Sequence, residues 1–403
     1  MRQLSKYFGG VFLVSGTTIG AGMLALPVLT SFIGFIPSIV IFIALWLVML
    51  TSAFFLLDVY LEVGKESNLI SMVQATLGSK GKSICWFFYL LLLYALIAAY
   101  ISASGPIFAT VFQQQLGLTL SLNQANFILP IVLGFFVYLG AKSVDFINRV
   151  LMVGLIVSYV LLIRYIAPSI EIELLSFSDW RPTFVVIPVV ITSFGYHIII
   201  PSLGTYFGNN RIALRRIIII GSVIPLIFYI LWQALILGAI PLQGEWGLIS
   251  AFRKGQSAII PLSKGGYSNT ISIIAQFFSF FAIITSFLGV SLSLSDFIRD
   301  GLNLKTTILG RLTAYSITFI PPLFFALYFQ QGFFLALQYA GVFVAILLII
   351  FPALMTKYIK SRPFYSSNIG KGCCFGIICI GIIIILVDLV DQWGFFNRFI
   401  GGI

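Results

Sequence analysis

Residues 16–27 read GTTIGAGMLALP, which places three glycines and two threonines in the middle of the first apolar segment of the chain. Glycine in a helix interior costs roughly 1 kcal/mol relative to alanine. Three glycines within seven residues therefore predict a helix that opens at this point. In a membrane, open backbone is tolerated only where it is buried in protein or lines a cavity. The stretch predicts a binding site near the middle of the membrane.

The composition of the 403-residue chain indicates a membrane protein, since 60% of the residues are hydrophobic, 9% are charged and the mean hydropathy is +1.09. Soluble domains carry about 25% charged residues. The net charge of +11 comes from basic residues in short loops between apolar segments, which is typical of membrane topology signals. We therefore exclude nucleic acid as a partner. Membrane lipid surrounds the protein, and no sequence feature indicates an obligatory protein partner.

Apolar runs and the residues that interrupt them predict eleven transmembrane helices. The predicted spans are 8–33, 36–60, 84–112, 126–141, 146–167, 184–207, 214–240, 270–298, 311–329, 333–356 and 373–391. With the N-terminus in the cytoplasm, seventeen of the 23 basic residues fall on the cytoplasmic side and six on the outside. This bias follows the positive-inside rule, and the odd number of spans places the C-terminus outside.

The spans divide into two halves of five, each with an interrupted first helix. Span six carries TSFGYHIIIPSLGTY at 192–206, which matches the glycines and the following proline of span one. Five spans per half make the two halves enter the membrane in opposite orientations, as in many secondary transporters. The predicted units are a first repeat at 1–167, an extracellular loop at 168–183, a second repeat at 184–356 and a peripheral span at 373–391.

Two features have alternative interpretations. The Gly16-x-x-x-Gly20 spacing is also typical of close helix packing, although a second broken span favours an unwound site. Residues 241–269 mix prolines, glycines and short apolar stretches, which predicts an outer cap with two short helices. The alternative for this segment is a plain solvated loop.

His197 is the only histidine, and it falls in the interruption of span six. Ionisable groups inside a membrane are candidates for function, and histidine titrates near neutral pH. Substrate contact or proton handling is one interpretation. The other is a neutral imidazole that pairs with a carbonyl group freed by the broken helix.

The ends of broken helices predict the chemistry of the ligand. Unpaired N–H groups around Ala21, Gly22 and Met23 suit a carboxylate, and unpaired carbonyl groups near Thr17 and Gly195 suit an ammonium group. A zwitterionic amino acid carries both. The sequence lacks GxxxxGK[ST], HExxH and GxSxG motifs, so we expect no ATP hydrolysis, no catalytic residues, no metal site and no cofactor.

The chain resembles the bacterial tyrosine- and tryptophan-specific permeases, a family of the amino acid–polyamine–organocation superfamily with the leucine-transporter fold. The strings that carry the resemblance are GTTIGAGMLALP at 16–27, AAYISASG at 98–105, TSFGYHIIIPSL at 192–203, TSFLGVSLSLSDFIRD at 285–300 and PPLFFALYFQQGFFLALQYAG at 321–341. Together they cover nearly the whole chain.

The resemblance implies proton-coupled import of aromatic amino acids and a set of binding residues. The residues so implied are Thr17, Thr18, Gly20, Ala21 and Gly22 on span one, Phe194, Gly195 and His197 on span six, and Tyr100 across the cavity. His197 is also the candidate for proton coupling. Family members often have glycine after this histidine, whereas this chain has Ile198.

We therefore predict a proton symporter of the bacterial inner membrane that imports aromatic amino acids, tyrosine above all, by alternating access. A sodium-coupled or broader neutral amino acid transporter is the nearest alternative. A non-transporting amino acid sensor is an alternative from another class, although the short cytoplasmic loops offer no docking domain for a signalling partner.

Overall fold

The computed structural model describes residues 2–64, 67–207, 210–305, 307–329, 332–359, 361 and 363–392. Within these ranges the chain is helical throughout, and its only β-type contact is an isolated bridge between Gly34 and Ser178. The C-terminus, which was predicted to be external, lies outside the described residues. So do four of the basic residues used to predict the topology, Lys65, Lys360, Arg362 and Arg398.

The α-helices are α1 (Arg2–Thr18), α2 (Gly22–Thr30), α3 (Phe35–Val63), α4 (Leu69–Leu116), α5 (Leu122–Asn126), α6 (Ile128–Leu139), α7 (Ala141–Ile166), α8 (Ile172–Leu175), α9 (Thr183–Ser193), α10 (Ile200–Phe207), α11 (Arg211–Ala239), α12 (Leu248–Arg253), α13 (Ile259–Lys264), α14 (Asn269–Gly301), α15 (Ile308–Tyr328), α16 (Gly332–Val344), α17 (Phe351–Met355), α18 (Pro363–Ser366) and α19 (Asn368–Gln392).

The described residues contain ten helical segments long and apolar enough to cross a membrane. The pair α1/α2 is bent by 55° at its break and makes an eleventh when it is counted as one span. The prediction of eleven spans is confirmed on this count. The second broken span consists of α9, a 3₁₀ turn at Tyr196–Ile199 and α10.

Helix packing repeats between the two halves of the chain. Helix α4 of the first half packs along α16 of the second, and α14 of the second half packs along α7 of the first with similar extent. Likewise α1 packs along α11, while α9 and α10 pack along α3. Each half thus lends a helix to the other, and the two broken helices α1/α2 and α9/α10 come to lie at the centre of the bundle.

The third span begins well before the predicted residue 84, because α4 starts at Leu69. The Asn68 side chain accepts a hydrogen bond from the Ser71 N–H, and the Ser71 hydroxyl accepts one from the Asn68 N–H, so the helix has a complete capping box. At Gly78 the helix kinks, with φ of 74°, a value that glycine adopts without steric cost. The segment from Leu69 to the kink at Gly78 is therefore helical although it precedes the predicted start of the span.

Span ten contains an irregular turn that the apolar pattern did not predict. A π-helical segment, Ala345–Ile350, joins α16 to α17. Its cause is Pro352, which has no N–H to pair with the carbonyl group of Leu348 four residues earlier. The hydroxyl of Ser52 on α3 donates to that carbonyl group instead. The irregular turn thus joins span ten to span two.

One face of the bundle, called here the basic face, carries the C-terminal ends of α3, α10, α14 and α17 and the N-terminal ends of α4, α11, α15 and α19. Asp58 near the end of α3 is buried there and accepts hydrogen bonds from Arg211 Nε and Nη2 at 2.9 Å each and from Arg215 Nη2 at 3.2 Å. The hydroxyl of Tyr365 on α18 donates to the same carboxylate at 2.8 Å. One carboxylate therefore joins α3, α11 and the segment that leads to the last span.

The opposite face carries the two longest connections, which fold back onto the bundle. The Asp179 N–H donates to the Ile33 carbonyl group at 2.9 Å, and the ring of Phe252 on α12 packs edge-on against Phe32 at 5.1 Å. Beside Asp179, the Arg181 guanidinium holds the pKa of that carboxyl below its usual range. Helices α12 and α13 lie within the segment 241–269, and its role as a cap stays a prediction.

Candidate functional site

The two broken helices meet at their breaks. Helix α1 ends at Thr18 and α2 begins at Gly22, while α9 ends at Ser193. The two broken helices touch where Gly22 faces Ser193, because a Cβ atom on Gly22 would lie 3.1 Å from the Ser193 Oγ. Glycine therefore allows the start of α2 to approach the end of α9.

A single hydroxyl joins the two helix ends. Tyr229 on α11 is fully buried, and its Oη lies 2.7 Å from the Thr18 carbonyl oxygen and 2.9 Å from the Ser193 carbonyl oxygen. Thr18 and Ser193 are the last residues of α1 and α9, so both carbonyl groups are at the negative end of a helix dipole. The phenol supplies one proton for two acceptors. The Tyr229 hydroxyl thus occupies the point at which the two negative helix ends converge.

The same face of α11 also contacts α2, the second part of the first broken span. The indole N–H of Trp232 donates to the Met23 carbonyl group at 3.0 Å, and the Gln233 amide donates to the Thr30 hydroxyl at 2.5 Å. Tyr229 and Trp232 are three residues apart, which places both on one side of the helix. One stripe of α11 therefore supplies donors to both α1 and α2.

On its other side the first break faces α14 and α4. The N–H of Ala21 donates to the Ser286 hydroxyl at 3.0 Å. Tyr100 on α4 lies beside Ser286 and close enough to Tyr229 for the two phenols to interact electrostatically. The N–H of Gly22 donates to no group that the structure describes. The break therefore presents a free amide at the positive end of α2, next to two phenol groups.

The structure brings six of the predicted site residues to this polar centre and leaves three apart. At the centre are Thr18, Gly20, Ala21, Gly22, Tyr100 and Phe194, whose ring lies 5.3 Å from that of Tyr229. The three others are Thr17, Gly195 and His197. The Thr17 hydroxyl donates to Leu13 within its own helix, and the nearest side chain to Gly195 is Leu348 on the π-helical segment.

His197 is fully buried and lies against a cavity on the side of the basic face. The imidazole lies near the backbone of Met49 and stacks on Tyr196 at 5.2 Å, but neither ring nitrogen forms a well-aligned hydrogen bond with any residue that the structure describes. The expected pairing with a freed carbonyl group is therefore not seen here. The cavity has a volume of about 300 Å³ and leads towards the ends of α4 and α14.

Two residues of the centre were not among the predicted site residues. They are Tyr229 on α11 and Ser286 on α14. The signal for the first was available, since Tyr229, Trp232 and Gln233 place three polar groups on one stripe of an apolar span. A polar stripe inside a membrane helix indicates a partner that needs donors.

These features define a class of protein. Two discontinuous helices that meet in the middle of a membrane bundle are typical of secondary transporters. The manganese transporter of Eremococcus coleocola superposes with a TM-score of 0.63 at 15% sequence identity, covering 98% of this chain and 88% of that one. MhsT, solved in complex with L-phenylalanine, superposes with a TM-score of 0.59 at 14% identity, covering 95% and 97%. The fold is therefore of the leucine-transporter type.

Sequence comparison identifies the family. Residues 3–388 match the tryptophan/tyrosine permease family, and the chain belongs to it. Tyrosine-specific transport system 1 of Haemophilus influenzae is 35% identical over 99% of this chain and 100% of its own length. The tryptophan-specific transport protein of the same organism is 31% identical over 99% of each chain. The protein is thus a multi-pass membrane permease and not an enzyme.

The contact at Gly20 generates a prediction. A Cβ atom at this position would lie 2.5 Å from the Ser286 Oγ, so Gly20→Ala displaces the hydroxyl and leaves the buried Ala21 N–H without its acceptor. An unpaired buried N–H costs about 1–3 kcal/mol. We expect tyrosine affinity, measured by scintillation proximity on purified protein, to fall by about tenfold or more while membrane insertion persists.

The matched control is Gly289→Ala, because Gly289 on α14 faces open space. We expect wild-type affinity in this variant. Equal affinity in the Gly20 and Gly289 variants would contradict the assignment of the break at Gly20 to the binding site.

The bridge at Tyr229 generates a second prediction. Tyr229→Phe keeps the buried ring and leaves the Thr18 and Ser193 carbonyl groups without a donor, at about 1–3 kcal/mol for each unpaired group. We expect a lower melting temperature in detergent, and a larger stabilisation by added tyrosine than in the wild type, because a ligand ammonium group can pair with both carbonyl groups.

Tyr315→Phe is the control, since its hydroxyl donates to Pro130 within an intact helix, at 2.8 Å. This variant should melt close to the wild type. If the Tyr229 variant melts no lower than the Tyr315 variant, the hydroxyl is not the link between the helix ends.

Proposed function

We propose that the protein imports aromatic amino acids, tyrosine most readily, by proton symport with alternating access. The observation that carries the proposal is the convergence of both helix breaks on one polar centre under the Tyr229 hydroxyl. The names of the relatives support the substrate class, since they are called tyrosine-specific and tryptophan-specific transport proteins.

The zwitterion binds across the two breaks. Its carboxylate accepts from the free N–H of Gly22 at the positive end of α2. Its ammonium group donates to the carbonyl groups of Thr18 and Ser193, where it supplements a phenol that has only one proton for two acceptors. An ammonium group has three protons, so it pairs with both carbonyl groups without competing for a shared donor.

The aromatic part of the substrate lies among the rings at the centre. Phe194 and Tyr229 pack edge-on, and Tyr100 stands on the facing helix α4. Aromatic pairs of this geometry contribute about 0.5–1.5 kcal/mol beyond area burial, which favours aromatic substrates over leucine. In this proposal Thr17 and Gly195 complete the rim of the site, while Ile198, exposed in the cavity beside His197, narrows the route out.

Proton coupling is assigned to His197. It is the only histidine of the chain, and it lines the cavity next to the Met49 backbone without a well-aligned hydrogen bond to any described residue. The Tyr229 bridge holds the helix ends together through a neutral group, so a sodium ion is not needed at that junction.

The proposal includes the orientation in the bacterial inner membrane. The basic face is cytoplasmic and the N-terminus lies on that side, with the C-terminus outside. The segment 241–269 caps the outer vestibule, the halves 1–167 and 184–356 form the two repeats, and 373–391 lies at the periphery. The conformation described here is then inward-facing, because its cavity opens towards the basic face.

Radiolabelled tyrosine uptake into proteoliposomes tests the function. We expect uptake to follow an inward proton gradient without sodium, and unlabelled tryptophan and phenylalanine, but not leucine, to compete. Uptake that requires sodium, or that leucine blocks equally, would overturn the proposed coupling or substrate class. Tyrosine binding without any transport would favour the alternative that the protein is a non-transporting amino acid sensor.

His197→Gln tests the coupling residue. Glutamine keeps hydrogen-bonding capacity but does not titrate, so gradient-driven accumulation should be lost while exchange of internal for external tyrosine continues. The control is tyrosine exchange by the wild-type protein in vesicles of the same composition. Undiminished accumulation in the His197 variant would return this residue to a structural role.

A further inference from the structure

The cavity below His197 has a charge opposite to that of the face on which it opens. Two carboxylates, Asp296 and Asp300, line it one turn apart on the same side of α14. No lysine or arginine lines the described part of the cavity wall. Arg299 Nη1 lies 3.7 Å from Asp296 Oδ1, a loose contact between partly exposed groups, and Arg299 and Arg311 line an adjoining cavity with Asp296. The cavity is therefore acidic although the surrounding connections are basic.

Among the residues that the structure describes, neither carboxylate forms an ion pair closer than this 3.7 Å contact. Like charges four residues apart on a helix repel each other by a few tenths of a kcal/mol. A cation bound between them removes this repulsion, so the pair favours a ligand with a positive charge. An anionic or neutral ligand gains nothing from it.

The wall beside the carboxylates is aromatic and held in place by packing. The ring of Phe297 on α14 stacks on Trp86 at 5.1 Å, and Tyr89 on α4 packs edge-on against Phe297 at 5.2 Å. Tyr89 and Phe297 both line the cavity. Fixed rings next to a charge pair suit a ligand with an aromatic ring and an ammonium group, since both parts find partners within one site.

The deep end of the cavity holds an unpaired polar group. His197 is fully buried, lines the cavity, and leaves both ring nitrogens without a well-aligned partner among the described residues. A buried polar group of this kind is costly unless a ligand or water pairs with it. The His197 imidazole is an observation separate from the two carboxylates. It indicates that the cavity binds a ligand that has a polar group as well as a positive charge.

The size of the cavity limits the ligand. Its volume of about 300 Å³ is at the lower end of the range of small-molecule pockets, roughly 300–1,000 Å³. Along α14, the rise from Ser293 to Asp300 is roughly 10 Å. These dimensions suit one ring with a short side chain.

We propose that this cavity is a second binding site, selective for aromatic compounds that carry a protonated amine and no carboxylate. Asp296 and Asp300 hold the ammonium group, and Phe297 and Tyr89 hold the ring. The site differs from the polar centre, where a free amide favours a carboxylate. An amino acid released from that centre passes the second site and is held there weakly, because its carboxylate is repelled by the two aspartates. Only this movement of the released amino acid past the second site rests on the proposed transport function.

Tyramine, tyrosine and N-acetyltyrosine distinguish the two sites in the wild-type protein. Tyramine has the ammonium group without the carboxylate, and N-acetyltyrosine has the reverse. We expect isothermal titration of the purified full chain in nanodiscs to show tyramine binding that excess N-acetyltyrosine does not displace. Absence of tyramine binding, or its displacement by N-acetyltyrosine, would overturn the proposal without any variant.

Variants locate the site. The double substitution Asp296→Asn and Asp300→Asn should weaken tyramine binding by about tenfold or more, because the charge-assisted hydrogen bonds to the ammonium group are lost. The matched control is Asp145→Asn, which removes an exposed carboxylate paired with Arg149 on α7 and should leave tyramine binding unchanged. Equal tyramine affinity in the double variant and the control would refute the site.

The outcomes separate this proposal from the transport function. Gly20→Ala disturbs the polar centre and should lose tyrosine affinity while it keeps tyramine affinity. If tyramine affinity falls in parallel with tyrosine affinity, both ligands use the polar centre and the second site does not exist. If the protein binds tyramine through the aspartates but transports nothing, the second site stands and the proposed function fails.

Discussion

The architecture depends on how the carbonyl groups at the breaks of the two discontinuous helices obtain hydrogen-bond donors. Each broken helix exposes carbonyl groups where no water is available, and each such group costs several kcal/mol in hydrocarbon. The Tyr229 hydroxyl meets the last carbonyl groups of α1 and α9 together, and Trp232 meets one on α2. Helix α11 thus makes the breaks tolerable.

The sequence predicted the features that depend on local composition. Glycine clusters located the break between Thr18 and Gly22, and apolar run lengths yielded eleven spans. The charge pattern identified the face that carries the Asp58 cluster, because basic residues concentrate in its connections. Each of these signals is contained in a short window of residues, so no knowledge of the packing was needed.

The features that escaped prediction depend on contacts between distant residues. Only the packing shows that Ser52 pairs with the freed Leu348 carbonyl group and that the turn in span ten is π-helical. The convergence of Thr18 and Ser193 on one phenol likewise joins residues that are far apart in the chain. His197 was recognised by its rarity, whereas its position at the inner end of an acidic cavity follows from the arrangement of α4 and α14.

The carboxylate of Asp58 has a mechanical consequence. It serves two guanidinium groups and a phenol at once, and withdrawing any partner leaves buried charge behind, which is strongly unfavourable. The C-terminal end of α3 and the N-terminal end of α11 are therefore held together by this cluster, and α18, which precedes the last span, is held with them. Relative movement of α3 and α11 is therefore easiest away from this cluster, nearer the middle of the membrane, where α1/α2 and α9/α10 are broken.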